Sequence, residues 1–312
     1  MKTYVASFLE EFRYDDRDRA VLLSLCDAIE ANPVALAEWE SLCRVDQEDP
    51  HCDLNPLRKR AGELSTLLRV HSYTLQLLFF ISLSEKLRQR YAEQGIPDSV
   101  FHDSMCDLRY KTEECREVYG ICGSFVASWF IGFFRMTRFA LGRLQFELIP
   151  LGRSYQKGKL CLSPEQSVIN IHIPRSGKPL TPGACDDAFR RAAVFFAPEL
   201  AKENSGKIPE QIPFVCDSWL LYPENRFLFP EGSNLRAFFD RFEITEFKTD
   251  TDGHPNFWRL FDRAYNGNPD TLPYDTSLRR AYVDHLRAGG NLGTGFGIFL
   301  LPTSADADCD VI

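Results

Sequence analysis

The spacing of apolar residues over the first part of the chain predicts helices. In "DRDRAVLLSLCDAIEANP" the apolar positions Leu22, Leu25 and Ile29 lie three or four residues apart, and an Asn-Pro pair closes the segment. A longer run with the same spacing extends over residues 57–93, and the apolar segment "ICGSFVASWFIGFF" is typical of a buried core helix. We therefore expect this region to be almost wholly helical.

The spacing changes to a period of two after Gly142. "RLQFELIP" alternates apolar residues with Gln145 and Glu147, as a half-buried strand does, and a second strand is predicted over residues 168–173. A helix that begins at Pro182 follows, and after it come the apolar run "IPFVCDSWLLYP", the strand "FEITEF", further helices and a closing strand "GFGIFLLP". This order predicts a mixed sheet with one parallel crossover.

The two regions together predict the fold class α/β (α+β). An all-helical N-terminal domain would occupy residues 1–140, and a mixed β-sheet domain with flanking helices would occupy residues 141–302. The remaining residues, 303–312, form an acidic tail.

Charge and cysteine usage narrow the functional classes. The chain carries 36 Lys and Arg residues against 44 Asp and Glu residues, and neither half is basic, so we expect no nucleic-acid and no membrane partner. The N-terminus lacks the features of a secretory signal and the apolar runs are shorter than the ~20 residues that span a bilayer, which predicts a cytoplasmic protein. The ten cysteines contain no CxxC pair, so we predict reduced thiols and no metal site.

The segment "VINIHIPRSGKPLTPGACDDAFRRAAVFF" places a basic loop at the start of a helix. Backbone N–H groups without partners and the helix dipole attract anions at such a position. Thr181 would cap the helix that begins at Pro182, Gly177 would let a ligand approach the backbone, and Arg175 and Lys178 would supply positive charge. An ordinary capped helix beside a loop that happens to be basic explains the same residues.

The glycine-rich segment "AGGNLGTGFG" does not predict a dinucleotide site. In the dinucleotide fingerprint the glycines follow a strand and open a helix. Here they close a helix and precede a strand, so a helix C-cap and a turn explain Gly289 and Gly290.

The segments "GRLQFEL", "NIHIPRSGKPLTPGACDDAF", "CDSWLLYP", "PEGSNL", "RFEI" and "AYVDHLRAGGNLGTGFGIFLL" resemble a bacterial acyltransferase-like family. That family joins a helical N-acyltransferase N-terminal domain to a GNAT-like C-terminal domain. The resemblance implies an acyltransferase that uses acetyl-CoA or another acyl-CoA as co-substrate and an amine or similar small nucleophile as acceptor. It also implies that the CoA pyrophosphate lies on the loop between a central strand and a helix, with the thioester between two splayed strands.

On this chain the resemblance assigns the pyrophosphate loop to the segment that begins at Arg175. The cofactor-binding residues would be Arg175, Ser176, Gly177, Lys178 and Thr181. The chain departs from the usual pattern of spaced glycines, because Gly177 alone lies in the loop, and Pro179 and Pro182 have no N–H to donate. A non-catalytic protein that keeps a GNAT-like scaffold for ligand sensing or protein binding is the alternative function.

Acyl transfer to an amine needs a base, and two residues are candidates for it. His172 lies between Ile171 and Ile173, so its side chain points to the opposite face of the strand; a structural histidine is the alternative. Asp217 interrupts an apolar run, where a carboxylate is costly unless it is paired or functional; a strand-end turn or a salt bridge is the alternative.

Two further residues have possible chemical roles. Tyr282 resembles in position the tyrosine that many GNAT enzymes use as the acid for the leaving thiolate, although core packing of an amphipathic helix is the preferred explanation. Cys185, in the first turn after the basic loop, would have a lowered thiol pKa there, but direct transfer needs no nucleophile and we interpret it as a packed cysteine. The sequence predicts no particular oligomeric state.

Overall fold

The computed structural model describes residues 1–250, 256–263 and 265–303. The chain forms two compact units, Met1–Ala140 and Leu141–Ile312. Of the acidic tail predicted at 303–312, all but the first residue lies outside the described residues.

The first unit is built from helices. They are α1 (Lys2–Glu11), α2 (Asp16–Ala31), α3 (Pro33–Glu48), α4 (Leu54–Glu63), α5 (Ser65–Leu68), α6 (Ser72–Glu93), α7 (Asp98–Tyr119) and α8 (Ile131–Phe134). The Asn32 side chain accepts hydrogen bonds from the N–H groups of Val34 and Ala35, which caps α3 with Pro33 at its first position. The predicted helical content of this unit is confirmed.

Two predicted helices of the first unit are interrupted. The run over 57–93 breaks because Arg69 adopts a left-handed φ of 55° after α5 and the His71 side chain then caps α6. The segment "ICGSFVASWFIGFF" forms only a 3₁₀ turn at Ala127–Phe130 and the single-turn α8. Its aromatic rings reach the core by packing on α6, where the Phe80 ring lies 5.4 Å from Phe130 and 4.9 Å from Phe134. Tertiary packing therefore overrides the helical spacing here.

The second unit is a mixed sheet with helices. The strand β1 (Arg138–Leu141) spans the boundary between the units, and the strands within the second unit are β2 (Leu144–Pro150), β3 (Tyr155–Lys157), β4 (Leu160–Leu162), β5 (Ser167–His172), β6 (Gln211–Ser218), β7 (Glu243–Thr249) and β8 (Gly293–Pro302). Its helices are α9 (Pro182–Glu203), α10 (Asn225–Leu228), α11 (Asn234–Phe239), α12 (Trp258–Phe261) and α13 (Ser277–Arg287). Six strands form one sheet in the order β1-β2-β5-β6-β8-β7, and β3 pairs with β4. The predicted fold class is confirmed.

The two faces of the six-stranded sheet are packed differently. On one face, Phe189 of α9 contacts the rings of Phe146, Phe214 and Phe299, which belong to three different strands. On the other face the β3–β4 hairpin covers a second apolar cluster. That cluster consists of Leu151, Tyr155, Leu162, Val168, Val215 and Ile298.

The β5–α9–β6 crossover contains a parallel pairing, whereas the pairings of β2 with β5, β6 with β8 and β7 with β8 are antiparallel. The β5 and β6 strands pair at two positions, Ile169 with Phe214 and Asn170 with Val215. The β5 strand continues to His172 and β6 continues to Ser218, so the two strands diverge beyond the second pair. The sheet is therefore open at the carboxyl ends of these two central strands.

The glycines of β8 are explained by close packing. A Cβ atom on Gly295 would lie 2.0 Å from the backbone oxygen of Leu221, in the 3₁₀ turn that follows β6. Gly289, in contrast, follows the end of α13 with φ +80°. Gly289 thus follows the end of α13, and Gly295 lets the 3₁₀ turn after β6 pack closely against β8.

No single helix within the described part of the chain is long and apolar enough to span a membrane. One bent pair, α2 with α3 at 107°, reaches that length and composition when its two helices are taken together.

Candidate active site

The open end of the sheet carries a cluster of polar side chains on β2 and β5. Nε2 of His172 lies 2.6 Å from Oε1 of Glu147, and Nδ2 of Asn170 lies 3.2 Å from each of these two atoms. The side chains of His172 and Glu147 are 21% and 16% exposed, so both are largely shielded from water. The structure thus gives the predicted base His172 a carboxylate partner.

Strand pairing brings this cluster together. Glu147 of β2 is directly opposite Asn170 of β5, and His172 lies two residues further along the same face of β5. A glutamate side chain is long enough to reach such a diagonal neighbour. Sequence reasoning placed Glu147 on the polar face of its strand but missed its contact with His172, because one sequence does not specify the register between two strands that are not joined by a tight turn.

Asp217 has a different position from the one that the sequence suggested. The run "PFVCDSWLLYP" is not one strand: β6 ends at Ser218, whose hydroxyl accepts a hydrogen bond from the Leu220 N–H as the 3₁₀ turn begins. Asp217 is thus the second-to-last residue of the strand, and it is exposed. The premise of a carboxylate inside an apolar strand was wrong, because the apolar residues of the run belong to two elements.

The surroundings of Asp217 are electrostatically mixed. Partial burial raises the pKa of the Asp217 carboxyl, the guanidinium of Arg153 lowers it, and the carboxylate of Glu246 raises it further. Arg153 forms an ion pair with Glu246 at 2.5 Å and its guanidinium lies 3.9 Å from the centre of the Phe296 ring. Asp217 therefore belongs to a group with Arg153 and Glu246, whereas His172 is paired with Glu147.

Tyr282 is buried in α13. Its side chain is 1% exposed, its hydroxyl has no hydrogen-bond partner among the described residues, and burial raises its pKa well above the usual value. It lines a cavity of about 20 Å³ together with Trp219 and the side chain of Asn225, which is also buried. The role of Tyr282 as an acid stays a prediction, and the packing alternative accounts for its ring.

The loop between β5 and α9 is exposed at its centre. Gly177 has φ +103°, a conformation that favours glycine, and Gly177, Lys178 and Thr181 are all exposed, while Ser176 is half-buried. The Thr181 hydroxyl accepts a hydrogen bond from the Ala184 N–H at 3.3 Å, as the predicted cap requires. The helix start thus faces solvent rather than a dry interior.

The two cations of this loop differ in their partners. The guanidinium of Arg175 forms an ion pair with Asp262 and its Nε donates to the backbone oxygen of Arg259 at 2.9 Å. Asp262 also forms an ion pair with Arg279 of α13. The ammonium of Lys178 has no partner among the described residues. Arg175 is therefore held by the protein itself, whereas the charge of Lys178 is available to a ligand.

Two arginines near the start of α9 were missed by the sequence analysis. Arg241 forms an ion pair with Asp186 at 2.7 Å, and Arg143 donates to the backbone oxygen of Pro174 at 2.9 Å. Both lower the pKa of the Cys185 thiol, but burial outweighs them and raises it. The expectation of a lowered thiol pKa at Cys185 was therefore wrong, because the thiol faces the core. No local pattern marks either arginine, since both are distant from the loop in the sequence.

Metal ligation has no candidate in residues 1–250, 256–263 and 265–303. These residues contain no group of three or more His, Cys, Asp or Glu side chains that could hold a metal ion.

A parallel crossover that opens at the carboxyl ends of two central strands, with an exposed helix start beside the opening, defines a GNAT-like domain. Family models agree with this class over nearly the whole chain. The model of the N-acyltransferase N-terminal domain matches residues 4–136, and that of the GNAT-like C-terminal domain matches residues 139–299. The chain belongs to this two-domain family, which confirms the resemblance found in the sequence. None of the curated proteins compared with the chain matches it significantly.

Solved structures with the same fold are acyltransferases. One, a complex with decanoyl-CoA and teicoplanin, is 24% identical, has a TM-score of 0.69, and is matched over 95% of this chain and 87% of that chain. Another, a complex with CoA and 10C-teicoplanin, has the same identity, TM-score and coverage. A third, a complex with decanoyl-CoA, is 21% identical, has a TM-score of 0.59, and is matched over 96% and 99% of the two chains. At these identities the similarity establishes the fold.

Proposed function

We propose that the protein transfers an acyl group from acyl-CoA to an amine of a small-molecule acceptor. The observation that carries the proposal is the divergence of β5 from β6 beyond Asn170 and Val215, directly before the exposed loop and the start of α9. The divergence leaves room for an extended substituent between two strands, and the helix start attracts the phosphates attached to it. The decanoyl-CoA and CoA ligands of the structural neighbours support this assignment.

The loop residues have separate roles in this proposal. Lys178 supplies the charge that contacts the CoA pyrophosphate, and the backbone at Gly177 permits its close approach. Arg175 holds the loop in place through Asp262. Thr181 caps the helix, and because Pro179 and Pro182 carry no N–H, fewer backbone donors are available than in a glycine-rich loop.

The reaction transfers one acyl group and displaces two protons from an ammonium acceptor. The nitrogen lone pair forms a C–N bond with the thioester carbonyl carbon, the C–S bond breaks, and CoA leaves as the thiolate. One of the two protons ends on the thiolate and the other passes to solvent. His172 serves as the base that removes a proton from the nitrogen, since imidazole accepts protons near neutral pH.

The acceptor class is narrowed by the structural neighbours. Two of them hold teicoplanin or 10C-teicoplanin, so glycopeptides are the first acceptors to assay. A scaffold that binds a ligand without catalysis is the competing function, and it predicts binding without turnover or no binding of CoA esters at all.

The test is a thermal-shift titration with acetyl-, octanoyl- and decanoyl-CoA. At a concentration of 100 Kd, a bound CoA ester stabilises the protein by about 2.7 kcal/mol and raises Tm. We expect Lys178→Ala to weaken binding by about 3- to 10-fold, which corresponds to roughly 1 kcal/mol. Lys202→Ala is the matched control, because Lys202 is exposed in the last turn of the same helix. If none of the three esters raises Tm, the assignment is wrong and the scaffold function is favoured.

A further inference from the structure

We propose that Glu147 is a positioning residue that orients the His172 imidazole through Nε2 and stabilises the positive charge that the ring gains when it takes up a proton from the acceptor. This inference rests on the proposed acyl transfer. It adds a second side chain, from a different strand, to the proposed base.

The contact with Glu147 indicates that Nε2 of His172 carries a proton. Nε2 of His172 is 2.6 Å from a carboxylate oxygen of Glu147 and 3.2 Å from the amide nitrogen of Asn170. One ring nitrogen does not donate to the carboxylate and accept from the amide at once. The shorter contact, to a charged acceptor, is the stronger, so Nε2–H donates to Glu147 and the lone pair is on Nδ1.

Asn170 completes the arrangement from the same strand. Its Nδ2 donates to Oε1 of Glu147 at 3.2 Å, so a single carboxylate oxygen accepts from both Asn170 and His172. A largely buried carboxylate is costly unless donors satisfy it, and two donors from β5 fix the Glu147 side chain in one position. Because Glu147 is fixed, its hydrogen bond also fixes the plane of the His172 imidazole. A general base needs such a fixed orientation toward its substrate.

The surrounding charges allow an electrostatic test of this pair. Proton uptake gives His172 a positive charge, which the adjacent Glu147 carboxylate stabilises. Other charged residues described on this face of the sheet lie on β6 and β7, or on β3 and the loop before it. They are Asp217, Glu243, Glu246 and Lys248, with Lys157 paired to Glu243 and Arg153 paired to Glu246. Glu147 forms a hydrogen bond with Nε2 of His172.

The experiment combines steady-state kinetics with NMR on the full-length protein. Glu147→Gln keeps the shape of the side chain and removes its charge, and we expect it to lower kcat roughly 10- to 100-fold with KM for acyl-CoA unchanged. In a His172→Asn background the same substitution is expected to have no further effect on kcat. Glu243→Gln is the matched control: it removes a carboxylate from the same sheet face, where Glu243 contacts Tyr155 and Lys157. Equal losses of kcat in both backgrounds would overturn the proposal.

The NMR measurement does not depend on turnover. Nitrogen shifts of His172 are expected to report a proton on Nε2 in the neutral ring, and the titration midpoint of His172 is expected to move to lower pH in Glu147→Gln but not in Glu243→Gln. A neutral ring protonated on Nδ1, or an unchanged midpoint, would overturn the proposal even in an active enzyme. A protein that shows the expected shifts but no turnover with any amine would retain the His172–Glu147 pair and refute the acyltransferase function.

Discussion

The β5 and β6 strands are paired up to Asn170 and Val215 and diverge beyond them. The paired half and the diverging half differ in the burial and the polarity of their side chains. In the paired half, Val168, Val215 and Ile298 are at most 1% exposed and are packed beneath the β3–β4 hairpin. In the diverging half, the same face of the sheet presents His172 and Asp217. The comparison predicts that this pair of strands stabilises the fold in its paired half and, in the proposed function, carries the chemistry in its diverging half.

The largest effect is expected from His172→Asn in the diverging half. Loss of a general base lowers kcat by about 10²- to 10⁴-fold, whereas the unfolding free energy should fall by only about 1–3 kcal/mol, because the substitution removes a donor from the largely shielded Glu147 carboxylate. Steady-state kinetics and urea unfolding of the same preparation measure both quantities. A large loss of stability with little loss of kcat in the folded fraction would make His172 structural and would remove the functional contrast between the halves.

Phe214→Ala tests the paired half. Phe214 is fully buried and its ring contacts those of Phe146, Phe189 and Phe299, so truncation should cost about 3–5 kcal/mol of unfolding free energy. Urea unfolding measures this loss. We expect kcat per folded molecule, measured well below the unfolding midpoint, to change by less than about threefold. A loss of unfolding free energy below about 1 kcal/mol would contradict the view that the paired half stabilises the sheet.

The structure of the paired half was far more predictable from the sequence than that of the diverging half. Period-two alternation identified β2, and the strand-loop-helix order identified the β5–α9–β6 crossover, because both signals are local. No local sequence pattern predicts where two strands diverge, because the point of divergence depends on which residues of the two strands pair with each other. The same limit explains Asp217: the apolar residues continue past it, and only the Ser218 hydroxyl, which starts the 3₁₀ turn, ends the strand there.

The site was predicted residue by residue but not as a set of contacts. His172 and Thr181 were found because a strand end and a helix cap are readable signals. The sequence identified Glu147 as a polar position of β2 but did not predict its contact with His172, because β3 and β4 intervene between β2 and β5. That Arg175 would be bound by Asp262 followed from no pattern, since the two residues are 87 positions apart and come together only through folding.

Tyr282→Phe tests whether a residue of α13 takes part in the proposed reaction together with residues of the diverging half. Tyr282 contacts Trp219, which directly follows β6, with ring centres 6.0 Å apart. Because its buried hydroxyl has no partner among the described residues, removal of that group should leave stability unchanged or raise it by about 0.5–1 kcal/mol, with kcat within about twofold. Thermal unfolding and kinetics test this. A tenfold or greater loss of kcat would assign the thiolate acid to Tyr282 and extend the catalytic region into α13.

Asp217→Asn should have the smallest effect, and it separates the two candidate bases. Partial burial raises the folded-state pKa of Asp217 above its usual value of 3.8, so the ionised carboxylate is disfavoured by folding. The stability contributed by its protonated form is complete below pH 3.8 and is lost as the pH rises through the folded-state pKa. The variant should therefore be more stable than the wild type at pH 7, by a few tenths of a kcal/mol because the side chain is exposed and screened, and the difference should vanish near pH 3.5. Unfolding at the two pH values measures this difference. A tenfold loss of kcat in Asp217→Asn, with His172→Asn nearly unaffected, would transfer the role of base from β5 to β6.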